Sequence, residues 1–167
     1  MVEKFIDIVD EEDNVTGKAT YEEIMDKGLI FRAANVFVFN SKGELFVHKR
    51  SRNLSTFPGM YDVKMGGIVD SGESYDEAAV RELKEESRIE NIELEFLFTF
   101  KFRSSKYKNN RKVYKCVYDG DITLQEEEIE EGRFMTIEET KKLIEEGKVS
   151  ESAVEVFKEY LRKRKTL

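Results

Sequence analysis

The sequence predicts an α/β fold in which a mixed β-sheet packs between layers of helix. Two observations carry that expectation. Three helix-opening capping boxes, Thr20-Tyr21-Glu22-Glu23, Ser74-Tyr75-Asp76-Glu77 and Thr136-Ile137-Glu138-Glu139, are spread along the chain. Between them lie apolar or alternating runs of strand length, some joined by hairpin-type turns. Strands interleaved with helices in this way build a sheet with helices on its faces.

The elements follow in order. Phe5-Ile6-Asp7-Ile8-Val9 alternates as a first strand, and Asp10 to Gly17 reads as a polar turn. The first capping box opens a short helix that Gly28 ends. Ala33 to Phe39 and Glu44 to His48 read as a hairpin turning at Asn40-Ser41-Lys42-Gly43. Met60 to Met65 is a strand running into a Gly66-Gly67 loop, and the second capping box opens the longest-marked helix. Leu94 to Phe102 and Lys112 to Tyr118 are two more strands, with a polar, basic loop from Arg103 to Arg111 between them. Phe96, Phe98, Phe100 and Phe102 are expected on one face of the first of these. Arg133 to Met135 is a last short strand. The third box opens a helix ending at Gly147, and Ser150 opens a fourth that runs to about Lys163.

A chain of 167 residues is expected to form a single domain over 1–167, with 40% hydrophobic and 38% charged residues. The net charge of -7 excludes a general binder of nucleic-acid polymers, which needs a basic face. An anionic substrate must then be held by a metal or a local basic patch. No apolar run approaches a membrane span, and the acidic start MVEKFIDIVDEEDN does not resemble a signal peptide. With one cysteine and no internal disulfide, a cytoplasmic location and no membrane partner are expected.

The most informative stretch is GIVDSGESYDEAAVRELKEESRI, from Gly67 to Ile89. Glu82, Glu85 and Glu86, at i, i+3 and i+4, fall on one helix face. Three such carboxylates repel one another unless a cation joins them. Hard oxygen ligands favour Mg2+ or Mn2+, the usual handles on diphosphates. The stretch resembles the Nudix box, G-x5-E-x7-R-E-U-x-E-E-x-G-U with U aliphatic, through Gly67, Glu73, Arg81, Glu82, Leu83, Glu85, Glu86 and Ile89. Arg88 replaces the box glycine. The resemblance implies a Nudix-type α/β/α sandwich. It also implies a metal held by Glu82, Glu85, Glu86 and the Gly66 carbonyl. Arg81 would pair with Glu73, and Gly67, Glu73 and Arg81 would shape the box. Glu85 and Glu86 are the expected catalytic carboxylates. The general base is sought there or in Glu126-Glu127-Glu128, with Glu127 as the choice. Lys49, Arg50 and Lys64 are the candidate substrate-binding cations.

Outside the box the chain resembles the branch that holds the type I isopentenyl-diphosphate isomerases and their non-isomerase relatives. The resemblance runs through Val9-Asp10-Glu11-Glu12-Asp13, Lys27 to Ala33, Val36 to Asn40, Lys49-Arg50-Ser51 and Pro58 to Asp62. Gly66, Ile68 and Phe31 stand where that resemblance places the isomerase cysteine and metal-binding histidines. A carbon acid–base enzyme lacks its tools here. The expected activity is therefore a Mg2+-dependent pyrophosphatase cleaving a phosphoanhydride in a nucleoside diphosphate derivative. The rivals are an isomerase-like enzyme and a non-catalytic nucleotide sensor. A small-molecule diphosphate is the expected partner, and the resemblance implies a homodimer. His48 is expected as an exposed strand histidine, and Cys116 as packing.

Overall fold

The computed structural model describes residues 2–165. Its elements are β1 (Phe5–Val9), β2 (Val15–Thr20), α1 (Tyr21–Lys27), β3 (Ile30–Phe39), β4 (Leu45–Arg50), β5 (Tyr61–Asp62) and β6 (Met65–Ile68). After them come α2 (Tyr75–Ser87), β7 (Glu95–Arg103), β8 (Lys108–Val117), β9 (Ile129–Met135), α3 (Ile137–Glu145) and α4 (Glu151–Lys163). All strands join one sheet organised around β3, which pairs antiparallel with β1, β4 and β6 and parallel with β8.

The alternation of β3 divides the core. Ala34, Val36 and Val38 pack with Ala78, Ala79 and Leu83 of α2. Phe37 and Phe39 face the other way and pack with Ala153, Val156 and Phe157 of α4. Helices thus cover both faces of a mixed sheet, an α/β/α sandwich. The three capping boxes form as the sequence predicts. The Thr20, Ser74 and Thr136 side chains each accept from a backbone N–H three residues on, and Glu23, Glu77 and Glu139 return the bond.

Several segments differ from expectation. Val15–Thr20 is a strand paired with β1, and the turn is confined to 10–14, where Asp10 Oδ1 accepts from the Glu12 and Asn14 N–H groups. Gly17 and Ala19 are too small to give a visible alternating apolar signal. The basic loop shrinks to 104–107, because β8 begins at Lys108. Asn109, Asn110 and Arg111 look like loop residues, yet all three are buried. A bulge between Phe96 and Phe98 breaks the expected phenylalanine face. Phe96 turns outward, 51% exposed, while Phe98 and Phe102 are buried. Strand β9 starts at Ile129, four residues before Arg133. Met60 to Met65 is not one strand. It is split into β5 and β6, and Gly66 and Gly67 lie within β6, opposite Asn35 and Ala34. At Gly66 (φ +144°) an added Cβ would lie 2.0 Å from the Ala34 carbonyl oxygen, so only glycine allows this pairing.

Candidate active site

Helix α2 packs on β6 and β3, which sets its glutamates against the Gly66-Gly67 backbone. The Gly66 N–H donates to Glu86 Oε2 at 3.0 Å. A Cβ on Gly67 would meet Glu82 Oε1 at 2.5 Å, so the glycine is the space into which that carboxylate fits. Arg81 stands behind them. Its Nε and Nη2 donate to Glu73 at 2.8 and 2.9 Å, its Nη1 to Glu82 at 2.7 Å, and its Nη2 to the Ile68 carbonyl at 3.0 Å. Glu73 also accepts from the Asp70 N–H, which fixes the loop ahead of α2.

Glu82, Glu86, Gly66 and Gly67 line one side of a cavity of about 360 Å³. Arg50 at the end of β4, Asp62 of β5, Lys64, and Arg111 of β8 line it too. Glu128 also lines it, because the Ser51 N–H donates to the Glu128 carbonyl at 2.8 Å and pins that turn. Half-buried Tyr21, Phe57 and Tyr107 line it as well, and the rings of Phe57 and Tyr107 sit 5.8 Å apart. Phe57 holds φ at +46°, a backbone conformation that bulky side chains rarely adopt and that clusters at functional sites.

Burial, followed by the neighbouring Glu82 charge, pushes the Glu86 carboxyl well above the ordinary glutamate range, against the Gly66 hydrogen bond. Burial also raises Glu82, although Arg81 opposes it. On the basic side, burial lowers Lys64 and brings Arg111 down to about 10. Burial alone would raise Asp62, but Lys64, His48 and Arg50 outweigh it and hold that carboxyl below its usual range.

The cavity gathers some of the residues singled out in the sequence and leaves others outside. Glu82, Glu86, Gly66, Gly67, Arg50 and Lys64 line it. Glu85 is half exposed and, among the described residues, reaches only Arg81, at 3.4 Å. Lys49 alternates away from Arg50 and pairs with Glu130 at 3.9 Å. Glu127 is exposed, and its neighbour Glu128 occupies the cavity wall instead. His48 is not exposed as expected. It is 3% accessible opposite Asp62, its Nδ1 has no partner among the described residues, and burial lowers it to about 4. Cys116 is buried in the α2-side core, and burial raises its thiol to about 11. Sequence reasoning passed over Asn35 and Asp62, and took Asn109 and Arg111 only as part of a basic surface turn from Lys106 to Arg111. A run of polar residues with strand spacing at 109–111 was the available signal.

Among the described residues, no three His, Cys, Asp or Glu side chains are already gathered to hold a metal ion. The donor chemistry nevertheless fits a hard divalent cation. Glu82, Glu86 and Glu128 present carboxylate oxygens to one cavity, and the first two have Glu128 as a repelling neighbour. Arg81 neutralises only part of that charge.

The NUDIX domain family matches residues 29–157 of the chain. A Nudix hydrolase of Pseudomonas aeruginosa is 38% identical over 127 residues, covering 76% of this chain and 75% of that protein. One of Streptomyces coelicolor is 36% identical over 132 residues, 76% of this chain and 71% of that protein. A crystal structure from Deinococcus radiodurans superposes with a TM-score of 0.77 at 31% identity, covering 88% of this chain and 92% of that one. The MutT protein of Methanosarcina mazei shares the fold, with a TM-score of 0.69 at 22% identity over 83% of this chain and 96% of that one. No helix among the described residues is long and apolar enough to cross a membrane.

Proposed function

The chain belongs to the Nudix hydrolase family, enzymes acting on phosphorus-containing anhydrides, and from that premise we propose that it is a Mg2+-dependent pyrophosphatase. Its substrate class is a nucleoside di- or triphosphate or a diphosphate-linked nucleotide conjugate. The observation that carries this reading is the meeting, in one cavity, of the α2 carboxylates with Arg50 and Lys64. Acids and bases lining one cavity suit a metal-chelated diphosphate held between them.

Glu82 and Glu86, with the Gly66 carbonyl, would hold Mg2+, which supplies Lewis acidity to the diphosphate oxygens. Arg81 and Glu73 keep the two carboxylates in place. Lys64 and Arg50 bind and orient the phosphates. Glu128, which lines the cavity, would take a proton from the attacking water at a carboxylate oxygen. Tyr21, Phe57 and Tyr107 exclude water and offer flat faces to a nucleobase. The same reading includes a cytoplasmic enzyme that works as a homodimer.

The test is phosphate and pyrophosphate release from a panel of nucleotides, with Mg2+ and with EDTA. Metal-dependent release from at least one nucleotide supports the reading. Equal rates in EDTA, or no release from any nucleotide, would overturn it.

A further inference from the structure

Arg111 is 4% exposed and lines the cavity, yet no carboxylate lies within ion-pair distance of it among the described residues. Its acceptors are all neutral. Nε donates to Asn109 Oδ1 at 2.5 Å, Nη1 to Asn35 Oδ1 at 3.3 Å and to the Ser152 carbonyl at 3.4 Å, and Nη2 to Ser152 Oγ at 2.7 Å. The guanidinium carries five N–H groups. These four bonds leave one, on Nη2, without an acceptor among the described residues. The group is stacked 4.8 Å from the Phe102 ring centroid, so its plane is fixed.

Its neighbours do not balance it. Asp62 is shared by Lys64 at 3.3 Å and Arg50 at 3.8 Å, and it is the carboxylate whose field reaches Arg111. Three cations against this one carboxylate leave two positive charges in a largely buried wall. Glu86 also attracts Lys64, but it is bonded to Gly66 on the metal side. A buried charge without a counter-ion is strongly disfavoured unless a ligand supplies one. The wall is also closed. Asn35, Asn109 and Ser152, which hold Arg111, are 3%, 5% and 7% exposed.

We propose that Arg111, with Lys64 and Arg50, forms a closed seat for a terminal phosphate. The enzyme then takes substrates whose diphosphate ends in a phosphate monoester, nucleoside di- and triphosphates, in preference to conjugates capped on both sides. A terminal monoester carries about -1.5 to -2 charge at neutral pH, which matches the wall. A diester phosphate carries one charge and a second substituent that the closed floor cannot pass. Arg111 is thus a specificity-determining residue. This inference rests on the hydrolase reading above.

The experiment compares kcat and KM for ADP against ADP-ribose, and GDP against GDP-mannose, in wild type, Arg111→Gln and Arg111→Lys. Wild type is expected to favour the uncapped partner. Arg111→Gln should raise KM for ADP and GDP roughly tenfold to a hundredfold, the loss that follows from a charge-assisted hydrogen bond, with kcat and the capped substrates little changed. Arg111→Lys keeps the charge and loses the fork, so it should fall between. A wild-type preference for capped substrates, or an equal loss on both classes, overturns the proposal. Orthophosphate binding by calorimetry in EDTA separates this claim from the hydrolase reading. If no nucleotide is turned over but phosphate binds wild type and weakens roughly tenfold in Arg111→Gln, the seat stands and the hydrolase reading falls. If neither turnover nor phosphate binding depends on Arg111, the seat falls. Melting temperatures of the variants establish that each is folded.

Discussion

Arg81 on α2 and Arg111 on β8 serve the same cavity from two sides, and their surroundings differ in kind. Arg81 is surrounded by acid. It hydrogen-bonds Glu73 and Glu82 and lies 3.8 Å from Asp70, and these contacts, Glu73 first, raise its pKa. Arg111 is surrounded by amides and a hydroxyl, and burial lowers its pKa. The first region has negative charge in excess and suits a cation. The second has positive charge in excess and suits an anion. One guanidinium is tied into the box by carboxylates, and the other, on the proposal above, would be left for the substrate.

The largest effect expected is on turnover. Glu86→Gln should cost roughly 10²–10³-fold in kcat, as removal of a group aimed at the reacting charge does. The metal-free variant should melt no lower than wild type, because a buried carboxylate beside Glu82 and Glu128 repels its neighbours. Near-normal kcat in a steady-state assay would remove the acidic side from the chemistry. Next in size is Arg81→Ala. It should destabilise the fold by about 2 kcal/mol in urea denaturation, since several charge-assisted bonds go at once. Arg111→Gln should stay within about 1 kcal/mol of wild type, because the cost of the buried acceptors it leaves is offset by the loss of a buried charge that no carboxylate pairs. Equal destabilisation in the two variants would erase the contrast between them.

A pH series sharpens the acidic side. The Arg81 hydrogen bonds, followed by the opposing effect of burial, leave Glu73 below its usual 4.5 in the folded protein. A lowered folded-state value stabilises above the unfolded value and is lost as pH falls through the folded one. The melting-temperature gap between wild type and Glu73→Gln should therefore be full at neutral pH and close below about pH 4.5. Parallel curves down to acid would mean that the pair contributes nothing. The smallest effect lies at the end of α2. Arg88 takes the left-handed cap conformation, φ +61°, with its N–H on the Lys84 carbonyl. Arg88→Gly should add about 1 kcal/mol, a rise of about 3 °C, with kcat unchanged. A lower melting temperature would show that the arginine side chain contributes more than its backbone costs.

The two regions were also unequally legible in the sequence. The acidic side is local. A capping box, a glycine pair and carboxylates at i, i+3 and i+4 all lie within one short stretch, so spacing alone places them on one helix face. The helix caps at Thr20, Ser74 and Thr136 were readable for the same reason. The basic side is assembled from β3, β4, β5, β8 and the start of α4, which are distant in sequence. Asn110 and Arg111 satisfy much of their polarity through contacts distant in sequence, so local pattern marks the segment as a loop. Glu128 rather than Glu127 reaches the cavity because Ser51, far away in the chain, holds that turn. His48 looked exposed until β5 and β9 flanked it on both sides. The bulge in β7 left no mark in the sequence, since Phe96 and Phe98 continue the alternation on paper.

The most direct test of the division between the two sides is a single steady-state comparison. Wild type, Glu86→Gln and Arg111→Gln are assayed together on one nucleoside diphosphate with saturating Mg2+. Glu86→Gln is expected to lose kcat with little change in KM, and Arg111→Gln to raise KM with little change in kcat. If both substitutions moved the same parameter, or neither moved either, the two sides would not divide the work as described.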